Sequence, residues 1–315
     1  MPKVLIVAGA MIFFAPSALG QPYPHKPIRM LTAEVGGSAD FTARTLALAL
    51  SATLGQQVIV DNRASGVIPG DIVAKAPPDG YTLLLYSNGV WTLPLLQHAP
   101  YDPVKDFAPI ALTSRSPNFL VVHPSVPANT VRELIALARA RPGQLNYGSG
   151  ATGAATQLAG ELFKSMAGVN IVRIPYKGGG PALNALLGGQ VQLMFPTAAS
   201  VAPHVKSGRL KALAVTSAQP SPLFPDVPTV AASGVPGYEA VQNIGVFAPA
   251  KTPAAIITRL SREIIEVVAR PDVKERFMNA GVETVGTTPQ ELTAVIKADM
   301  ARMAKLIKAT GIRGE

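Results

Sequence analysis

Short apolar runs alternate with helix-patterned segments along most of this chain, and that alternation restricts the fold more than any other feature. The runs are Ile28–Thr32, Gln57–Asp61, Tyr81–Tyr86, Phe119–His123, Ile171–Ile174, Val191–Phe195, Lys211–Thr216 and Gly245–Ala248. Val, Ile and Leu occupy both parities within them, as in strands buried on both faces of a parallel sheet. The segments between carry helical signals with readable ends. Thr130 and Glu133 have capping-box spacing, and Pro142-Gly143 stops that helix. Thr252-Pro253 opens another helix, with Ile256, Ile257, Leu260, Ile264 and Val268 on one face. Thr288-Pro289-Gln290-Glu291 opens the last, and its Ile296, Met300, Met303 and Ile307 read as core packing. The fold class is α/β. At 315 residues, two modest domains fit better than one core.

The N-terminus speaks to compartment. Lys3 precedes an apolar stretch from Val4 to Phe14, and small residues follow up to Ala18-Leu19-Gly20. This is the order of a cleavable signal peptide over residues 1–20, with cleavage before Gln21. The apolar run is shorter than the ~18–20 residues a membrane span needs. The chain has no cysteine, which excludes disulfides, thiolate metal sites and a Cys nucleophile. An exported, Cys-free chain of two domains points to a Gram-negative periplasm, where ATP and NAD are not freely available.

Charge narrows the partners. The net charge is +9, and most of it lies between Phe107 and Pro225, where the acids are Glu133 and Glu161 alone. Such a field speeds capture of anions. Nucleic acid is not the expected partner, because the bases are scattered and aromatic residues make up only 6%.

Three loops could carry ligand chemistry. Gly36-Gly37-Ser38-Ala39-Asp40 follows the first strand and opens a helix. Its free N–H groups suit a carboxylate, or the segment is an ordinary cap with Asp40 complementing the helix dipole. Gly148-Ser149-Gly150-Ala151-Thr152-Gly153 matches the dinucleotide fingerprint, yet Arg173, Tyr176 and Lys177 stand where the acidic ribose partner belongs. A helix start lined by Ser149, Thr152 and Thr156 that binds a small anion is the better reading. Tyr176-Lys177-Gly178-Gly179-Gly180-Pro181 lacks the ending of a nucleotide-binding loop, and serves either as ligand contact or as a tight turn with a solvated lysine. His25, His98, His123 and His204 show no metal-ligand spacing, and no serine sits in a G-x-S-x-G elbow. No metal and no cofactor are expected.

At this point the residues resemble the substrate-binding receptors of tripartite tricarboxylate transporters, the TctC or Bug family. The matching stretches include Tyr23-Pro24-x-Lys26-Pro27-Ile28-Arg29, Gly36-Gly37-Ser38-x-Asp40-x-x-Ala43-Arg44 and Asp79-Gly80-Tyr81-Thr82-Leu83-Leu84. Pro100-Tyr101-Asp102-Pro103, Leu120-Val121-Val122-His123-Pro124-Ser125, Pro175-Tyr176-Lys177-Gly178, Pro225-Asp226-Val227-Pro228-Thr229 and Thr252-Pro253 continue the match in order. The resemblance implies a two-lobed periplasmic-binding-protein fold, type II-like, with a mostly parallel sheet flanked by helices in each lobe. It implies a monomer that closes on a small organic anion and delivers it to a membrane permease, without catalysis. A sensing module feeding a membrane sensor and a periplasmic hydrolase are the alternative classes.

From this, lobe 1 is expected to hold residues 21–120 and 246–315, and lobe 2 residues 121–245. The ligand is expected among Val35, Gly36, Gly37, Ser38, Asp40, Ser87, Asn88, Ser149, Gly150, Thr152, Thr156, Tyr176, Lys177, Gly178 and Thr197, beyond the carboxyl ends of strands. The chain departs from the family pattern at Thr32-Ala33-Glu34-Val35, at Gln157 where His is frequent and at Asn243 where Trp is frequent. Ala33, Glu34, Gln157 and Asn243 are therefore candidate specificity residues, and a larger ligand or one with an amide or cationic group comes into view.

Overall fold

The structure, a computed structural model, describes residues 23–311 except 34, 36–37, 64–66, 151–153 and 222–223. The expected signal peptide lies outside the described residues. In chain order the elements begin β1 (Ile28–Thr32), α1 (Ser38–Leu54), β2 (Val58–Asn62), α2 (Ile68–Ala74), β3 (Thr82–Ser87) and α3 (Gly89–Thr92). They continue β4 (Phe107–Pro117), β5 (Phe119–Val122), α4 (Val131–Ala140), β6 (Asn146–Ser149), α5 (Ala155–Ala167), β7 (Val172–Pro175), α6 (Gly179–Leu187), β8 (Leu193–Met194) and α7 (Ala198–Lys206). The rest are β9 (Lys211–Val215), β10 (Val241–Pro249), α8 (Ala254–Ala269), α9 (Pro271–Asn279), β11 (Glu283–Thr284) and α10 (Pro289–Thr310). No described helix is long and apolar enough to cross a membrane.

These strands form two sheets, ordered β11-β4-β10-β3-β1-β2 and β7-β6-β8-β5-β9. In the first, β10 and β11 run against the other strands; in the second, β5 alone is reversed. The apolar residues at both parities are explained by helices on both faces. In β1, Ile28 and Met30 pack with Leu46 of α1 and Leu260 of α8, while Leu31 packs with Trp91 of α3 and Ile296 of α10. In β5, Leu120 and Val122 face Leu134 and Phe163 of α4 and α5, and Phe119 and Val121 face Leu186 and Val201 of α6 and α7.

The chain passes between the sheets at Asn118, and again between β9 and β10. The two crossings are bonded to each other: the Asn118 N–H donates to Thr216 Oγ1 (2.7 Å), and the Thr216 N–H donates to Asn118 O (2.8 Å). Val241–Gly245, assigned by sequence to the second lobe, pair along β4, with Val241 opposite Pro117 and Gln242 opposite Ser116. Polar Gln242 and Asn243 hide this strand start from an apolarity count. The same masking applies to β4, whose Ser114, Ser116 and two prolines lie within a buried strand. Leu158 of α5 meets Leu96, Met303 and Leu306 in an apolar cluster that joins the helices of the two sheets.

Candidate ligand-binding cleft

Three strands of the second sheet, β6, β7 and β8, run in one direction, and each is followed by a helix that starts at the same place. A cleft of about 730 Å³ opens there, lined on this side by Gly150, Ala154, Ala155, Thr156, Lys177–Gly180, Leu183, Met194, Pro196, Thr197 and Ser200. Facing them from the first sheet and its connections are Val35, Ser38, Phe41, Gln242, Ala280 and Val282. That volume suits a small metabolite.

The helix starts are chemically alike. At α5, α6 and α7 the residues preceding the first turn are Ala154, Gly178 and Thr197. None donates or accepts a side-chain cap bond, and none of the three first turns contains an acid. Each start thus presents N–H groups and roughly half a positive charge from its dipole. Lys177 is the one charged side chain among the described residues lining the cleft. Everything fixed about the charge of this wall favours an anion.

Local packing holds the wall in place. A β-carbon on Gly160 would lie 2.5 Å from Cε2 of Tyr147, so the glycine lets α5 rest directly on the ring in β6. Tyr147 in turn donates its hydroxyl to Glu161 (2.6 Å), and burial beside this carboxylate pushes the phenol pKa upward. Beneath the loop, Arg173 Nε donates to Ser149 Oγ (2.8 Å) and Nη2 donates to Gly150 O (3.2 Å). The Gly150 N–H donates to Thr156 Oγ1 (2.9 Å), closing the loop over the start of α5.

The structure brings Val35, Ser38, Gly150, Thr156, Lys177, Gly178 and Thr197 to the cleft. The other expected site residues that are described stand elsewhere. Ser149 is fully buried as a brace for Arg173. Asp40 is buried, pairing with Arg44 (2.9 Å) and accepting from Asn62 Nδ2 (2.8 Å). Tyr176 is partly buried, packed against the cluster that holds Leu186 of α6 and Val201 of α7. Ser87 pairs with Ile244 inside the first sheet. Asn88 borders a separate cavity of about 30 Å³ near the crossings, together with Asn118, Asp299 and Arg302. Of the specificity candidates, Ala33 packs against the first core, Gln157 is buried, and Asn243 is buried with its Oδ1 accepting from Arg115 Nε (3.2 Å). Glu34, Gly36, Gly37 and Thr152 lie outside the described residues. Gln242, Phe41 and Ser200 are cleft residues that motif reading passes over; only the β10 register, which places Gln242 at the mouth of the crossing, could have found the first.

Among the described residues no group of three or more His, Asp or Glu could hold a metal ion. Two doubly covered sheets, two crossings and a cleft between them define the architecture of a two-lobed solute-binding protein. The chain belongs to the tripartite tricarboxylate transporter receptor family, TctC, whose profile matches residues 42–312. It is 38% identical over 324 residues to protein BugT of Bordetella pertussis, covering 99% of each chain. The solved structure of R. palustris Rpa4515 with adipate superposes with a TM-score of 0.85 at 36% identity, covering 93% of this chain and all of that one. The periplasmic binding protein BugD gives a TM-score of 0.81 at 35% identity, with 93% and 100% covered. Membership of this family implies a periplasmic solute-binding role.

Proposed function

We propose that this protein captures a small organic carboxylate in the cleft and delivers it to a permease of the tripartite tricarboxylate type. The observation that carries the reading is the convergence of three uncapped, acid-free helix starts and Lys177 on one side of the cleft. In a closed, poorly hydrated space such groups hold a carboxylate far better than they do in water. The adipate bound in the Rpa4515 structure supports the ligand class. The two lobes are the two sheets with their helices, divided at Asn118 and just before Val241, and they work as a monomer that closes on its ligand. The carboxylate is bound and released unaltered.

Titration calorimetry with mature protein tests this directly. Short-chain carboxylates are expected to bind one per chain, and their neutral primary amides are expected to bind at least tenfold more weakly. Equal affinity for acids and amides, or turnover of the added compound, would sink the proposal.

A further inference from the structure

The two walls of the cleft differ, and the difference bears on which carboxylate is bound. The first-sheet wall consists of Val35, Ser38, Phe41, Gln242, Ala280 and Val282 and carries no charge among the described residues. The adjoining stretch from Ala33 to Ser38 contains no Lys, Arg or His in its sequence. On this wall Gln242 is singular: its Oε1 is shielded from solvent and has no hydrogen-bond partner. The same is true of the hydroxyl of Ser116, which lies directly opposite Gln242 across the β4–β10 pair and therefore on the same face. Buried polar atoms are almost always partnered in folded proteins, and Gln242 is itself only partly buried where it lines the cleft, so a small turn of its amide brings this unpartnered acceptor to a ligand group.

We propose that Gln242 is a specificity-determining residue whose buried carbonyl oxygen receives a hydrogen-bond donor of the ligand. The inference rests on the carboxylate reading above and refines it: the ligand carries one carboxylate, held by the second-sheet wall, and a hydroxyl, ammonium or amide N–H at its other end. A second carboxylate at that end would face an acceptor oxygen and no cationic side chain, and the α1 start on this wall already has Asp40 in its first turn. A plain alkyl end would leave the acceptor unpartnered. A site that hydrogen-bonds a ligand group discriminates strongly against analogues lacking it.

The test is a calorimetric panel of three straight-chain compounds of equal length: an ω-hydroxy acid, the unsubstituted monoacid and the dicarboxylate, each titrated into wild-type protein and two variants. In the wild type the ω-hydroxy acid is expected to bind roughly tenfold or more tighter than either companion. Gln242→Leu should reduce that preference to about twofold, weakening the hydroxy acid and tightening the monoacid, whose alkyl end then leaves no acceptor unpartnered. Gln242→Glu keeps an acceptor at the position, so it should retain the preference for the hydroxy acid and weaken the dicarboxylate further. Melting temperatures of both variants separate a lost preference from a damaged fold. A dicarboxylate that binds tightest to the wild type overturns the inference and leaves the carboxylate reading intact. So does a hydroxy-acid preference that survives in a folded Gln242→Leu protein. If none of the three compounds binds at any length tried, the inference and the carboxylate reading fall together.

Discussion

Helices α4 and α10 begin on the outside of the molecule, and α5, α6 and α7 begin at the cleft. The outward pair are closed by their own sequence. Thr288 and Glu291 form a complete reciprocal box at α10. At α4 the Glu133 N–H donates to Thr130 Oγ1 (3.2 Å), but the returning carboxylate accepts from Asn129 N (2.7 Å) instead of the cap residue. The cleft trio have neither cap nor acid. The short α2 and α3 and the longer α8 and α9 also lack side-chain caps; of these, α8 and α9 begin at exposed Pro253 and Pro271, where water meets the free N–H groups. The lesson is that an open helix start is ordinary at the surface, and acquires a use where three of them face one partly enclosed space.

The comparison can be broken most forcefully through Gly160. Gly160→Val would drive its side chain into the Tyr147 ring and move α5 off β6, with an expected loss of about 1–3 kcal/mol in denaturant unfolding. Carboxylate binding should fall with it. A finer probe gives α5 the closure that the outward helices have. Ala154 already has the extended backbone of a cap residue (φ −62°, ψ 146°), so Ala154→Asp should stabilise the unliganded protein by about 0.5–2 kcal/mol. It should also weaken carboxylate binding by at least about tenfold, because a fixed negative charge then occupies the anion's place. A gain in stability with unchanged affinity would show that the α5 start is not used for binding.

The outward helices supply the reciprocal test. Thr288→Ala should cost about 1 kcal/mol of stability and leave ligand affinity unchanged, as measured by unfolding and calorimetry side by side. Glu291 in the same box has its pKa held below the ordinary glutamate value of 4.5, chiefly by the Thr288 N–H. Its contribution is therefore full above 4.5 and is lost as pH falls through the lower folded-state value. Melting curves between pH 5 and 2.5 should show Glu291→Gln with a shallower acid decline than wild type. The smallest effect is expected at Lys206, exposed in the last turn of α7. Lys206→Ala should change only a salt-sensitive association rate.

Much of this was legible in the sequence, for reasons visible in individual elements. β1, β3 and β5 were readable because both of their faces are covered, so each residue is selected for apolarity. The cap signals at Thr130 and Thr288 are local chemistry and need no tertiary context. β4 was not readable: Pro109, Ser114, Ser116 and Pro117 argue against a strand, and pairing with β10 and β11 makes one there. The cleft was half legible. Loops after strands announce themselves by Gly and Thr, which identified Gly150, Thr156, Lys177, Gly178 and Thr197. Direction does not announce itself. Ser149 at the end of β6 and Asp40 in the first turn of α1 border the right loops but turn inward, where Arg173 and Arg44 bond them.

The single tryptophan of the chain falls at a telling point. Trp91 is fully buried and donates its indole N–H to Asp299 Oδ2 (2.9 Å). Asp299 Oδ1 accepts from Arg302, which also donates to Glu239 Oε2 (2.8 Å) on the segment entering β10. Any rotation of one sheet against the other that strains the Arg302–Glu239 pair is felt two bonds away by an indole. The molecule thereby contains its own optical gauge. Intrinsic emission, free of background from any second tryptophan, would follow the angle between the lobes in unlabelled protein, and stopped-flow traces of that signal would time closure separately from capture.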